Sequence, residues 1–583
     1  MPVDEGEMAQ NREMHNRERE SVSTTNGFAP AAELSFLRDR MRAADLPEDA
    51  LAAAEHELLR LEKLSPRSPE YSLARSFFDW LLALPWHART RDRLDVKAAR
   101  RTLDLGHFGL DIAKEEITDF LAVMQMRADG RAPALCFVGP AGAGKTSLGC
   151  AVARALDRRV VRISVRGIRD ETEILGQRRT WPDALPGRII HAIRSAGVKN
   201  PVIMIEEIDR LGPRGHGDVQ AALFEALDLK VRSRFTDHFL DLPFDLSEVF
   251  FIATANLLEA VPEMLRDCFN PISLPGYVQE EKVKITKRFL IPRERERCGL
   301  GPEEFDVAEV ALKEMVRAYS REAGVGRLQE QVALLARKAA GELAAGNAKE
   351  VYVDSPRLAE WLGHPLPGAD SRRRGPEVGT AQALVIASDG GMVSPVEATR
   401  ISGHGNVTIT GPAGERLREH IQKALTILRA RAKKFDLDLA AFDTSHLHVH
   451  IPDAPAAGDL AALDLALVAS LVSTYTSKPI RADLALTGAL SLSGQVRPVG
   501  GIVDKILAAR RAEIEHVVIP AECAPELEKL PDYVRDAIKV HPVQTVDEAL
   551  DWAVMQIILP KPEEASAIGL FRKEPPGKSP NNH

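Results

Sequence analysis

Residues 134–147 read ALCFVGPAGAGKTS, and this stretch decides the fold. The run from Ala134 to Val138 has the length and composition of a buried strand. The pattern G-x-x-x-x-G-K-[ST] follows at Gly139, Pro140, Ala141, Gly142, Ala143, Gly144, Lys145 and Thr146, with Ser147 next. A helical run, SLGCAVARAL, completes the unit. Strand, glycine-rich turn and helix in that order give a short pattern its specificity. Glycines at 139, 142 and 144 let backbone N–H groups turn inward around phosphate oxygens. Lys145 can reach the β and γ phosphates, and Thr146 can ligate Mg²⁺. The expected ligands are therefore ATP and Mg²⁺.

Outward from this unit, VVRISV (160–165), VIMIEEI (202–208) and VFFIATA (249–255) are further short runs rich in Val, Ile and Phe. Helical stretches separate them, which predicts a parallel sheet covered by helices over residues 106–290. The second run ends in Glu206 and Glu207. A buried strand that carries two carboxylates to its C-terminal end suits metal binding and water activation. Asn256 ends the third run, where an amide can orient the attacking water.

Residues 291–365 read as a helical lid with no strand signal, and 366–379 as a linker. Mixed strands and helices return over 380–562. On the N-terminal side, 1–28 is a polar tail expected to be disordered. Residues 29–105 form a helical arm, in which Pro85 should end a helix. Residues 563–583 read as a second tail. The fold class is multidomain: an α/β nucleotide-binding domain with a lid, then an α+β domain.

The net charge of −8 over 583 residues gives no charge-driven case for a membrane or nucleic-acid partner. The cluster Arg372–Arg374 lies in the linker and reads as solvated. No apolar run reaches the roughly 18–20 residues of a membrane span. Five Cys form no CxxC pair, which fits a reduced, cytoplasmic setting.

The order of motifs resembles the Lon protease family. The strings that carry the likeness include RDETEILGQRRTWPDALPGRII (169–190), REAGVGRLQEQVALLARKA (321–339) and KPIRADLALTGALSLSGQVRPVGGIVDKILAARRAEIEHVVIP (478–520). The likeness covers about residues 32–562. It implies an AAA+ module with its lid, followed by a Lon-type protease-like domain. It further implies a homo-oligomeric ring, six subunits in most members, which threads unfolded or misfolded proteins into a chamber where a Ser–Lys dyad cuts them. The large β-rich N-terminal substrate-binding domain usual in the family is absent from this sequence. The pore-loop aromatic corresponds to Trp181. Pro182 follows it where a β-branched residue is usual.

The resemblance also exposes departures. The dyad lysine maps onto Lys505 and its supporting threonine onto Thr487. The segment from His450 to Lys505 aligns without a gap, and the family's P-K-D-G-P-S-A-G then puts Ala462 at the serine. A methyl group cannot attack a carbonyl. Ser470 lies eight residues on, about 12 Å along a helix, too far to serve without rearrangement. Ser445 precedes the strand. In the ATPase half, Glu206 stands where Asp is usual. The arginine finger falls on Cys268, with Arg266 two residues earlier as a conceivable substitute. The sensor arginine falls on Gly326, with Arg327 beside it. Three functions are to be weighed. The first is a Lon-like ATPase that remodels proteins without cutting them. The second is a nucleotide-binding scaffold that hardly turns over, or a subunit mixed with a complete Lon paralogue. The third is an ATP-dependent serine endopeptidase concerned with protein quality control, which the family assignment would choose.

Overall fold

The computed structural model describes residues 30–127, 133–181, 183–211, 218–320, 322–365, 375–387, 390–412, 414–435, 437–453 and 459–555. The readings of the two tails, of Pro182 and of Arg372–Arg374 lie outside them. The chain divides into two compact units: one running to Ala369 and taking in Ser388–Gly391, the other formed by Asp370–Ala387 and Met392–His583.

The first unit is built on a five-stranded sheet: β1 (Ala134–Val138), β2 (Val160–Ser164), β3 (Val202–Glu206), β4 (Phe250–Ala255) and β5 (Phe269–Ser273). The order is β2-β3-β4-β1-β5, and every pairing is parallel. Alternation along β1 sorts its side chains to two faces. Leu135 and Phe137 pack with Leu148 and Val152 of the helix Lys145–Leu156, called α1. Ala134 and Cys136 join the opposite layer, with Ile189, Ile190 and Ile193 of α2 (Arg188–Ala196). All six residues of β4 are buried, as a strand between two covered neighbours must be. Strand β5 is the one that sequence pattern does not reveal. Its FNPIS contains a Pro and an Asn, which an edge position tolerates.

N-terminal to the sheet, helices Pro30–Ala43, Glu48–Lys63 and Pro69–Ala83 pack together, and Phe77 and Phe78 enter the shared core. Ser68 starts the third helix by accepting the Tyr71 amide at 3.2 Å. Leu84 ends it in an extended conformation just before Pro85, whose ring disfavours a helical predecessor.

The lid is not purely helical, and that reading is corrected. Phe305–Val307 pairs in parallel with Val351–Val353. Three residues per strand are too few for a period to show, yet the inward residues Phe305, Val307, Val351 and Val353 are all buried. The long lid helix α3 (Gly326–Ala344) buries Leu328, Val332, Leu335, Ala336 and Ala339, the stripe expected of an amphipathic helix.

The second unit is a seven-stranded mixed sheet: β6 (Thr380–Ala387), β7 (Gly390–Ser402), β8 (Val407–Thr410), β9 (Ser445–His450), β10 (Leu484–Leu486), β11 (His516–Pro520) and β12 (Lys539–Val543), in the order β8-β9-β7-β6-β10-β11-β12. Helices α4 (Glu415–Ala430), α5 (Asp464–Thr476) and α6 (Ile502–Arg511) accompany it. Helix α5 is apolar nearly all round and buried from Asp464 to Tyr475. No described helix is long and apolar enough to cross a membrane.

Candidate functional site

The turn between β1 and α1 is shaped by its glycines. Gly142 and Gly144 have φ of +75° and +96°, a region that side chains with a Cβ rarely enter. A Cβ on Gly142 would stand 2.6 Å from the Gly326 amide, so the start of α3 closes over the loop. The Val325 amide donates to the Gly142 carbonyl at 3.1 Å.

The Lys145 ammonium donates to the carbonyls of Gly139 (2.5 Å) and Pro140 (2.9 Å) and to Asn256 Oδ1 (2.9 Å). Burial pushes its pKa down to about 8, against the opposing pull of Asp209 and Glu207. Thr146 Oγ1 donates to Glu206 Oε1 at 3.2 Å. A hydroxyl and a carboxylate converging at the end of a strand are hard oxygen donors, and this pair fits Mg²⁺. Arg162, from the neighbouring β2, lies on the same carboxylate: Nε donates to Oε1 at 3.0 Å and Nη2 to Oε2 at 3.4 Å.

Glu207 follows in a left-handed conformation, φ +57°, with its amide donating to Thr254 Oγ1 at 3.1 Å. The Arg210 Nε lies 3.5 Å from its carboxylate. Asp209 was not singled out from sequence. Its Oδ2 accepts the Asn256 amide at 3.0 Å, while Oδ1 is buried with no hydrogen-bond partner. The acidic run IEEID held the signal: three carboxylates within four residues at one strand end.

Cys268 is half-buried, and burial raises its thiol pKa to about 11. Arg266 is occupied within its own loop, donating to the carbonyls of Glu259 (2.6 Å) and Val261 (2.7 Å). Its reading as a substitute finger therefore requires breaking two hydrogen bonds. The Arg327 amide donates to Glu322 Oε1 at 2.6 Å, and the residue itself is exposed. Trp181 is 66% exposed, which suits a surface loop and not a core position.

In the second unit, Lys505 on α6 is fully buried, and its Nζ lies 2.5 Å from Asp459 Oδ2. The same oxygen accepts the Ile386 amide at 3.0 Å. Burial lowers the Lys505 pKa, and Asp459 opposes that shift. Ala462 is fully buried in a 3₁₀ turn, Leu460–Leu463, with its carbonyl accepting the Gly488 amide at 3.2 Å. Thr487, next to Gly488, is buried with its hydroxyl unpartnered. The serines considered as substitutes are engaged elsewhere. Ser470 Oγ donates to the Gly379 carbonyl at 2.6 Å, and Ser445 Oγ to the Ala441 carbonyl at 2.5 Å. Sequence reading also missed Asp464, which is 1% exposed. Its carboxylate receives the Lys423 ammonium, the Leu490 amide at 2.9 Å and the His420 ring at 2.7 Å.

A phosphate-cradling loop on a parallel sheet, a lid closing over it, and a separate α+β unit with a buried lysine define the class: an AAA-type ATPase module joined to a protease-type domain. Residues 135–276 match the ATPase family associated with various cellular activities, 296–351 the Lon protease AAA+ ATPase lid domain, and 352–556 the Lon protease (S16) C-terminal proteolytic domain. The chain is 41% identical over 543 residues to "Lon protease 2" of Syntrophobacter fumaroxidans, covering 93% of this chain and 68% of that protein. It is 42% identical over 524 residues to "Lon protease" of Methylocella silvestris, covering 90% and 65%. "Lon protease 2" of Thermus thermophilus is 38% identical over 556 residues, at 93% and 68%. The chain belongs to the Lon protease family and spans about two thirds of the length of these relatives.

Proposed function

We propose that this chain is an ATP-driven Lon-type ring protein that unfolds or remodels proteins without cutting peptide bonds. Relatives are named as proteases, yet the chemistry of this chain departs from that name at one place. The carrying observation is the Lys505–Asp459 ion pair beside a turn whose nucleophile position is Ala462. A lysine base needs a hydroxyl to deprotonate and must itself be neutral. Here the nucleophile position carries a methyl group, and the amine lies against a carboxylate that opposes the downward shift burial gives its pKa.

On the motor side, the loop from Gly139 to Ser147 would hold the triphosphate and Lys145 would reach its terminal phosphates. Thr146 and Glu206 would hold Mg²⁺, which supplies charge neutralisation at the transferring phosphoryl group. Glu207 would accept a proton from water, and Asn256 would orient that water. Trp181 would grip an extended polypeptide in the pore of a homohexamer. Unfolded proteins are the proposed substrates, and the cytoplasm the proposed setting.

The scaffold reading is favoured by one observation: Arg266 is occupied by backbone carbonyls, and Cys268 offers no charge. ATP hydrolysis and casein cleavage, measured on one sample with Lys145→Ala as control, separate the readings. Hydrolysis without cleavage supports the proposal. Nucleotide binding without turnover supports the scaffold. Cleavage lost on Lys505→Ala supports the endopeptidase and refutes both others.

A further inference from the structure

We infer that Arg162 is a resident counter-charge for Glu206 that competes with Mg²⁺ and weakens its hold on the site. The inference rests on the nucleotide-binding reading above and adds the cost of metal entry. Glu206 Oε1 accepts from both Thr146 Oγ1 (3.2 Å) and Arg162 Nε (3.0 Å), and Oε2 faces Arg162 Nη2 at 3.4 Å. The two oxygen donors suited to Mg²⁺ are thus joined to each other, with a guanidinium forked over the carboxylate that the cation would use. The register explains why these groups meet. Strands β2 and β3 are parallel neighbours, and Arg162 stands two residues before the Ser164 that pairs with Glu206. Arg162 and Glu206 therefore share one face of the sheet, and a Glu, one methylene longer than an Asp, reaches back to the guanidinium.

Two positive charges on one carboxylate repel each other, so metal entry loosens the fork or the fork weakens the metal. The Arg162 side chain is half-exposed, at 50%, and Glu206 is 18% exposed. A pair of that exposure shifts an equilibrium by about two- to fivefold. The metal-free nucleotide meets no such conflict, because the Glu206 carboxylate is already paired with a guanidinium.

The test uses the full chain and a fluorescent ATP analogue, read by fluorescence anisotropy. Affinity is measured in EDTA, and then across a Mg²⁺ titration at fixed analogue. In Arg162→Gln the Mg²⁺ midpoint should fall about two- to fivefold, while affinity in EDTA drops. Arg162→Lys keeps a charge but loses the fork, and should lie between. In Glu206→Asp the shorter side chain leaves the guanidinium, and Arg162→Gln should then no longer move the midpoint. A midpoint in Arg162→Gln that stays put or rises overturns the inference. Failure of the unsubstituted protein to bind the analogue, with or without Mg²⁺, instead overturns the nucleotide-binding reading, and this inference falls with it. Coincident thermal unfolding of the Gln and Lys variants excludes misfolding as the cause.

Discussion

Lys505 Nζ and Asp459 Oδ2 lie 2.5 Å apart, and the lysine side chain has no exposed surface. This pair gives Ala462 its meaning. On the proposed reading of Ala462 as the nucleophile position, a serine there would supply the hydroxyl, but the base would still face a carboxylate that opposes the downward shift burial gives its pKa.

The first prediction follows. Ala462→Ser should leave casein cleavage at background. Ala462→Ser combined with Asp459→Asn should give detectable cleavage, because desolvation then lowers the lysine pKa without a carboxylate opposing it. The double variant's rate should rise with pH until the lysine is neutral. Cleavage by the single variant equal to that of the double would sink the argument.

The second prediction concerns Lys145. Its pKa of about 8 in the nucleotide-free protein lies below the usual 10.5 because of burial. Bound phosphates favour the ammonium, so binding takes up a proton once the free lysine has lost it. ATP affinity should be flat below pH 8 and fall roughly tenfold per pH unit above it, as single-proton linkage requires. The stability of the free protein should move the other way. A lysine whose folded pKa is depressed makes the unfolded state bind more protons between pH 8 and 10.5, so its contribution to stability rises with pH across that window. Equilibrium titration at pH 7 to 9.5 measures the first effect. Urea midpoints measure the second.

The third prediction concerns Asp464, which ties α5 to Lys423 and His420 of α4 and to the Leu490 amide. Removing one member of a buried charge group orphans the others. Asp464→Ala should cost about 3 kcal/mol, and Asp464→Asn less, because an amide still accepts from Leu490. A urea midpoint unchanged in both variants would show the group to be a solvated ornament.

Much of this was legible in the sequence, and for identifiable reasons. Strands β1, β3 and β4 are buried on both faces for nearly their whole length, so they read as apolar runs, while β2 at the edge keeps Arg162 and Ser164 exposed. The phosphate loop needs glycine at positive φ, which composition displays directly. The assignment of Ala462 to the nucleophile position rests on the family resemblance and is part of the proposal. What stayed hidden depends on partners distant in sequence. Asp209 looks like one more acid until Asn256 arrives from another strand. Asp464 looks like a helix-start acid until α4 supplies two cations. Arg266 looks available until its guanidinium is seen closing its own loop. Strand β5 and the lid ladder are short or contain Pro, and only their neighbours make them strands.

The last prediction addresses turnover. An arginine finger stabilises charge on the transferring phosphoryl group and is worth roughly 10³–10⁵ in rate where present. On the reading proposed from the family resemblance its position falls on Cys268, whose thiol pKa burial raises, and Arg266 is bound to the carbonyls of Glu259 and Val261. Cys268→Arg should therefore raise kcat for ATP at least tenfold while leaving the affinity for ATP nearly unchanged. If the finger acts across a subunit boundary, the gain should disappear on dilution below the assembly concentration, and ATPase assays over a protein dilution series would show it. Arg266→Ala should lower no catalytic rate beyond its effect on the loop's stability. A large rate loss in Arg266→Ala, with Cys268→Arg inert, would mean that the loop rearranges on assembly and that Arg266 is the finger after all.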